Sequence, residues 1–377
     1  MNASRRCLLC RESGQRSCID EHKIVKLVSP FLKSVVYPSL AGTGYLRRLA
    51  NPGLAVVTYH GVLPRSYESL DASLDGNLVT AETLRQQIRL LKSRYCLVDP
   101  SDVLTWNEGK RDLPPKAVLL TCDDGLLNHL TDMLPVLQQE NVKCLFFVTG
   151  ASAGQERLAL WYEELFLIFM NAPGGPFEIS CEGITIRGEM GSRDQRRSLW
   201  RSSVQHLSHV AESKRQSFLE SARQRFRMVK ECSDPDSPRG RRFTLLTSDE
   251  VGQLAAAGMT IGAHTMSHPI LAQLPAELAW DEISECKKKL QSVTRSDVWA
   301  FAYPFGDAQS VNPSVLTMPG DAGYRLAFLN YGGGLGVEPA PFAFPRIHVT
   351  ATMKLAEFEA HVSGFYARMR KRVGRTA

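Results

Sequence analysis

Seven short and nearly uninterrupted apolar runs constrain this chain more than any other feature. They are LAVVTY (54–59), AVLLTC (117–122), VKCLFFV (142–148), MTIGA (259–263), VWAFAY (298–303), YRLAFL (324–329) and FPRIHV (344–349). A strand that is apolar on both faces has no solvent side, which is the pattern of a parallel sheet covered by helices. Helical patterns lie between the runs. Residues 81–94 carry Leu84, Ile88 and Leu91 on one face. Residues 248–257 follow Thr247, with Glu250 placed for a capping box, and stop at Gly258. Residues 276–291 and 353–370 also read as helices. About seven β–α units predict a closed α/β barrel related to the eight-fold one but smaller.

The alternation breaks between residues 152 and 243, which reads as an insertion of helices and a hairpin. The helix pattern is WYEELFLIFM, and the hairpin FEISCEGITIRGE turns at Glu182-Gly183. Residues 187–242 hold 14 Lys or Arg against 7 Asp or Glu, a balance of 14 − 7 = +7, beside a whole-chain net charge of +6. The functional reading of that excess is a cap that steers an anionic substrate to the barrel mouth; the plainer one is a set of solvated helix faces. The expected organisation is a leader with an amphipathic helix (1–50), a barrel (51–352) carrying insertion 152–243, and a C-terminal helix with a basic tail (353–377).

The net charge and the absence of any nucleic-acid motif argue against nucleic acid as a partner and fit an anionic glycan, a lipid headgroup or a membrane surface. Nine cysteines, several in apolar runs as Cys144 is, read as reduced buried thiols. The N-terminal residues lack the apolar segment of a secretory signal, and no run is long enough to span a bilayer. The expected location is cytoplasmic, with peripheral contact at the membrane inner face. Cys7, Cys10, Cys18 and His22 have a spacing that can bind zinc, although few apolar residues surround them. Ile24, Leu27, Val28, Phe31, Leu32, Val35 and Val36 have helical spacing that suits either a membrane surface or packing on the main domain.

Four motifs follow apolar runs, at the strand edge where parallel α/β folds build their sites. Thr121-Cys122-Asp123-Asp124-Gly125 puts two carboxylates at a strand end, where their side chains diverge: one can bind a cation and the other act as a base. Asp-Asp-Gly is also a common turn. His264 and His268 can converge on one metal if the intervening residues turn tightly. Tyr303-Pro304-Phe305-Gly306 can wall a pocket and aim a backbone N–H at an oxyanion. Pro345-Arg346-Ile347-His348 offers a candidate acid.

Taken together and in this order, with the opening Thr58-Tyr59-His60-Gly61, these motifs resemble the NodB-type polysaccharide deacetylase family across residues 54–350, insertion excluded. The resemblance implies a distorted (β/α)7 barrel, of the NodB-homology type, that holds a divalent metal. Zinc is the first expectation, with nickel, cobalt or manganese as alternatives. It implies Asp124, His264 and His268 as ligands and Asp123 as the base that takes a proton from the attacking water. The cation and the Phe305 N–H would meet the developing oxyanion, Tyr303 and His60 would line the mouth, and His348 would donate the proton to the leaving nitrogen, with His60 as a further candidate for that acid.

Three positions depart from the family pattern. Cys122 stands where many members have Phe. Ala302 fills the slot of an Arg that orients the catalytic Asp, and Arg346 is expected to supply that guanidinium from a neighbouring strand. The last motif reads Arg346-Ile347-His348 rather than Leu-x-His. The expected function is a metal-dependent hydrolase that removes N-acyl groups, acetyl foremost, from an amino sugar of a glycan or lipid-linked glycan precursor. It would cleave a carbon–nitrogen bond that is not a peptide bond. The alternative is a non-catalytic glycan-binding protein on the same fold.

Overall fold

The computed structural model describes residues 30–49, 53–226, 232, 234–306, 309–332 and 340–372. The Cys7–His22 cluster and Ile24, Leu27 and Val28 lie outside them. The seven apolar runs become the strands of one closed parallel barrel: β1 (Ala55–Tyr59), β3 (Ala117–Cys122), β4 (Leu145–Val148), β7 (Thr260–Ala263), β8 (Ala300–Ala302), β9 (Leu326–Gly332) and β10 (Phe344–His348). Each pairs with the next, and β1 pairs with β3 from Ala55↔Val118 to Tyr59↔Cys122, which completes the ring. A two-residue strand, β2 (Cys96–Leu97), pairs with the start of β3 on the side that β4 takes over at Thr121. The sequence gives little sign of so short a strand.

Alternate strand residues divide into two cores, as a pleat requires. Val57, Leu120, Phe146, Phe301 and Ile347 pack outward, together with Leu84, Ile88, Leu254 and Ile283 of the surrounding helices. Val56, Leu119, Phe147, Ala302, Phe328 and Phe344 form the barrel interior. The same parity aims Thr121 and Arg346 inward above that layer. The helix Ala81–Arg94 has the expected bounds, and Ser248–Ala256 has the expected capping box. The single helix expected over 353–370 is two, Leu355–Val362 and Phe365–Arg372, because the chain turns at Gly364 (φ 76°).

Between β4 and β7 the chain builds a separate core. The hairpin β5 (Pro176–Cys181) and β6 (Ile184–Glu189) turns at Glu182 (φ 49°) and Gly183 (φ 82°). Its Phe177, Ile179 and Ile186 pack with Trp161 and Phe169 of the helix Trp161–Asn171 and Phe218 and Leu219 of the helix Glu212–Arg225. Residues 32–42 are helical and dock through Tyr37 onto Ala360 and Phe365, while Phe31 and Val35 stay exposed. Packing thus accounts for one face of that segment. No helix among the described residues is long and apolar enough to cross a membrane.

Candidate active site

Asp123 and Asp124 leave β3 in different directions, because Asp124 (φ 86°) and Gly125 (φ 79°) both turn left-handed. A side chain at Gly125 would meet Val148 Cγ1 at 2.9 Å, so the turn needs glycine for space as well as for φ. Asp124 swings toward β7. Its Oδ1 lies 3.5 Å from His264 Nε2 and 3.3 Å from His268 Nε2. One donor atom from each of the three residues falls within 4.8 Å of the others, and all three residues are buried. His264 Nδ1–H donates to the Ala302 carbonyl at 2.8 Å, which leaves the Nε2 lone pair aimed at Asp124. A carboxylate oxygen and an imidazole lone pair repel unless a positive charge stands between them. The donor set therefore fits a divalent cation with a mixed nitrogen and oxygen shell.

The histidine segment is tightly turned, as its spacing demands. Thr265 (φ 63°) and His268 (φ 59°) are left-handed without being glycine, as is Phe305 (φ 59°) on the next strand's exit. Each such residue costs on the order of 1–3 kcal/mol unless its surroundings impose it. Here they do. Thr265 Oγ1 accepts from His268 N–H at 3.1 Å, the Thr265 carbonyl accepts from Gly150 N–H, and Trp161 Nε1–H donates to the His268 carbonyl at 3.2 Å.

Asp123 is 1% exposed, yet both its oxygens are matched. Arg346 donates Nη1–H to Oδ1 at 2.7 Å and Nη2–H to Oδ2 at 2.6 Å. The same guanidinium donates Nε–H to the Leu329 carbonyl and Nη1–H to Thr121 Oγ1, and lies 5.2 Å from the Phe147 ring centroid. Burial is the largest single influence and pushes the Asp123 pKa up, but the Arg346 charge, the nearby His264 and the Arg346 hydrogen bonds together outweigh it and hold the carboxyl below its usual value. β10 borders neither β8 nor β3: β9 and β1 intervene. The guanidinium arrives through the barrel interior rather than from a neighbouring strand.

His348 and His60 stand 4.7 Å apart at the mouth, joined by Asn330 on β9. His348 Nδ1–H donates to Asn330 Oδ1 at 3.1 Å, and Asn330 Nδ2–H donates to His60 Nε2 at 3.4 Å. His348 Nε2 meets the Asn77 side-chain amide at 3.1 Å, and His60 Nδ1 is buried without a partner. Burial above all, then the neighbouring His60, pushes the His348 pKa down to about 3. At neutral pH the ring is uncharged.

Phe305 lies with its ring 5.0 Å from His268 and 6.2 Å from Tyr162. Tyr303 does not line the mouth as expected. It is fully buried against Phe301, with its hydroxyl donating to the Phe342 carbonyl, so its side chain belongs to the outer core. Asn330, Asn77 and Tyr162 were not singled out from sequence. Only Asn330 left a sign there, as a polar residue ending an apolar run.

The fold and this donor set define a class: parallel α/β barrels with side chains that could hold a metal ion clustered at the C-terminal mouth. Within that class the chain belongs to the polysaccharide deacetylase family, whose model matches residues 110–327 of the 377. Asp123, Asp124, His264, His268, Tyr303 and Phe305 fall inside the match, and His60, Arg346 and His348 outside it. YxkH of Bacillus subtilis (strain 168), named as a polysaccharide deacetylase, is 23% identical over 117 residues, 31% of this chain and 41% of that protein. The chain thus matches less than half the length of that relative. Among solved structures, the deacetylase PplD of Streptococcus pyogenes in complex with acetate has a TM-score of 0.51 at 16% identity, covering 83% of this chain and 99% of that one. IcaB from Ammonifex degensii has a TM-score of 0.51 at 18% identity, covering 82% and 97%. Both show the barrel fold.

Proposed function

We propose that the protein is a metal-dependent hydrolase that removes N-acyl groups, acetyl foremost, from an amino sugar of a glycan or a lipid-linked glycan precursor. The observation that carries this reading is the convergence of Asp124, His264 and His268 beside an Asp123 held by Arg346. Family membership supplies the substrate class. Zinc is the proposed ion, and nickel, cobalt or manganese suit the same donors. Asp124, His264 and His268 would hold the cation, which when bound would acidify a water and polarise the amide carbonyl.

The chain's own groups do the rest. Asp123 takes the proton from the attacking water, and Arg346 keeps it ionised and oriented to do so. The Phe305 N–H is the proposed donor to the developing oxyanion. His348 is the proposed proton donor to the leaving nitrogen. Its ring is uncharged at neutral pH, so it passes on the proton that Asp123 has taken from the water rather than one held at rest, and Asn330 holds Nδ1 so that Nε2 is the nitrogen that gains and loses it. The glycan-binding alternative drew on Ala302 standing in place of the orienting arginine, and the contact from Arg346 takes away that motive.

Metal content tests the ligand set. Purified protein should hold about one zinc per chain, and His264→Ala with His268→Ala should abolish it. Stoichiometric zinc that survives both substitutions would refute the assignment.

A further inference from the structure

Arg215 belongs to the insertion, 52 residues before the segment it touches, and is only 1% exposed. Its Nη2–H donates to Ser267 Oγ at 2.6 Å. Ser267 sits between His264 and His268. Its own hydroxyl donates to Glu282 Oε1 at 2.5 Å, and its backbone N–H donates to Glu282 Oε2 at 2.8 Å. Glu282 lies on the barrel helix Ala276–Thr294 and is 7% exposed. The Arg215 guanidinium lies 4.9 Å from the ring centroid of Trp161, the residue whose indole N–H holds the His268 carbonyl.

Two opposite charges are thus buried without direct contact, and one serine hydroxyl bridges them. Each is costly alone. Burial raises the Glu282 pKa and lowers that of Arg215, while the hydrogen bonds from Ser267 favour the charged form of Glu282 and the Glu282 charge favours that of Arg215. The bridge therefore has one favourable geometry, and that geometry fixes the middle of a segment with two left-handed non-glycine residues. Removing Arg215 leaves a buried carboxylate to pull on Ser267 unopposed.

We propose that Arg215 is a positioning residue of the metal centre, acting through Ser267 to hold His264 and His268 in register. The insertion is then part of the catalytic unit rather than a cap on it. This rests on the metal-site reading above.

Zinc affinity, measured by competition with a chromogenic chelator, tests the proposal. Arg215→Met and Ser267→Ala should each weaken zinc about 10–100-fold, as loss of a ligand's supporting partner does elsewhere. The double variant should be no weaker than the worse single one, because both break one chain of contacts. Leu219→Ala, which thins the insertion core on the same helix without removing a hydrogen bond to Ser267, should lower thermal stability while leaving zinc affinity within about threefold. If Arg215→Met does not fold, Ser267→Ala, which removes only a hydroxyl, carries the test. Unchanged zinc affinity in these variants, additive losses, or an equal loss in Leu219→Ala would overturn the proposal. A wild-type protein without zinc affinity would instead overturn the metal-site reading on which it stands.

Discussion

With both oxygens held by one guanidinium, Asp123 can stay ionised while almost wholly out of water. Arg346→Met would leave that carboxylate buried without its guanidinium, so its pKa would rise and a smaller share of it would be ionised. We expect deacetylation to fall about 10²–10⁴-fold, with the acidic limb of the pH–rate profile moved upward and zinc retained. A profile whose acidic limb stays in place would contradict this role. At this scale the sequence was informative about ligands and much less so about support. Asp124, His264 and His268 follow apolar runs, and strand ends in parallel folds converge. The sequence motifs also pointed to Arg346 as the missing arginine. Its route through the barrel interior depends on strand parity and closure together. Asn77 and Tyr162 come from segments whose path no periodicity describes.

The insertion shows how charge misleads when it is counted along an element. Its +7 balance suggested a steering field, yet most of the described arginines are engaged. Arg193 and Arg197 reach Asp71, Arg223 reaches Glu164, and Arg196 binds the Phe169 and Ala172 carbonyls. Arg242 is fully buried between Asp75 and Glu163. These contacts fasten the segment around residues 67–77, which carries Asn77, to the insertion. Arg242→Met should therefore destabilise the protein by about 3–5 kcal/mol, the cost of leaving buried carboxylates unpaired. Chemical denaturation measures it, and a loss under about 1 kcal/mol, the range of an exposed pair, would contradict it. The partners lie outside residues 187–242, where a local charge count does not look. The hairpin, by contrast, was legible, since alternating residues and Glu182-Gly183 specify it locally.

Across the molecule, the barrel follows from strands that no solvent face interrupts. Closure sets β1 between β10 and β3, so residues from both ends of the chain meet at one mouth. His60, Asp123 and Arg346 are near neighbours for that reason alone. The sequence implied the number of strands and their order, because consecutive parallel strands pair and the crossovers keep one hand. What it could not supply was where the excursion between β4 and β7 would land. That excursion returns to the His264–His268 segment through Trp161 and Arg215. The central claim is that this assembly hydrolyses an acylated amino sugar with Asp123 as base. The most direct measurement is acetate release from N-acetylglucosamine oligomers and extracted lipid-linked glycans, comparing wild type with Asp123→Asn at equal zinc content. The account predicts release by wild type and a loss of about 10²–10⁴-fold in the variant. Equal release by both proteins, or none by zinc-loaded wild type on any N-acylated glycan, would contradict it.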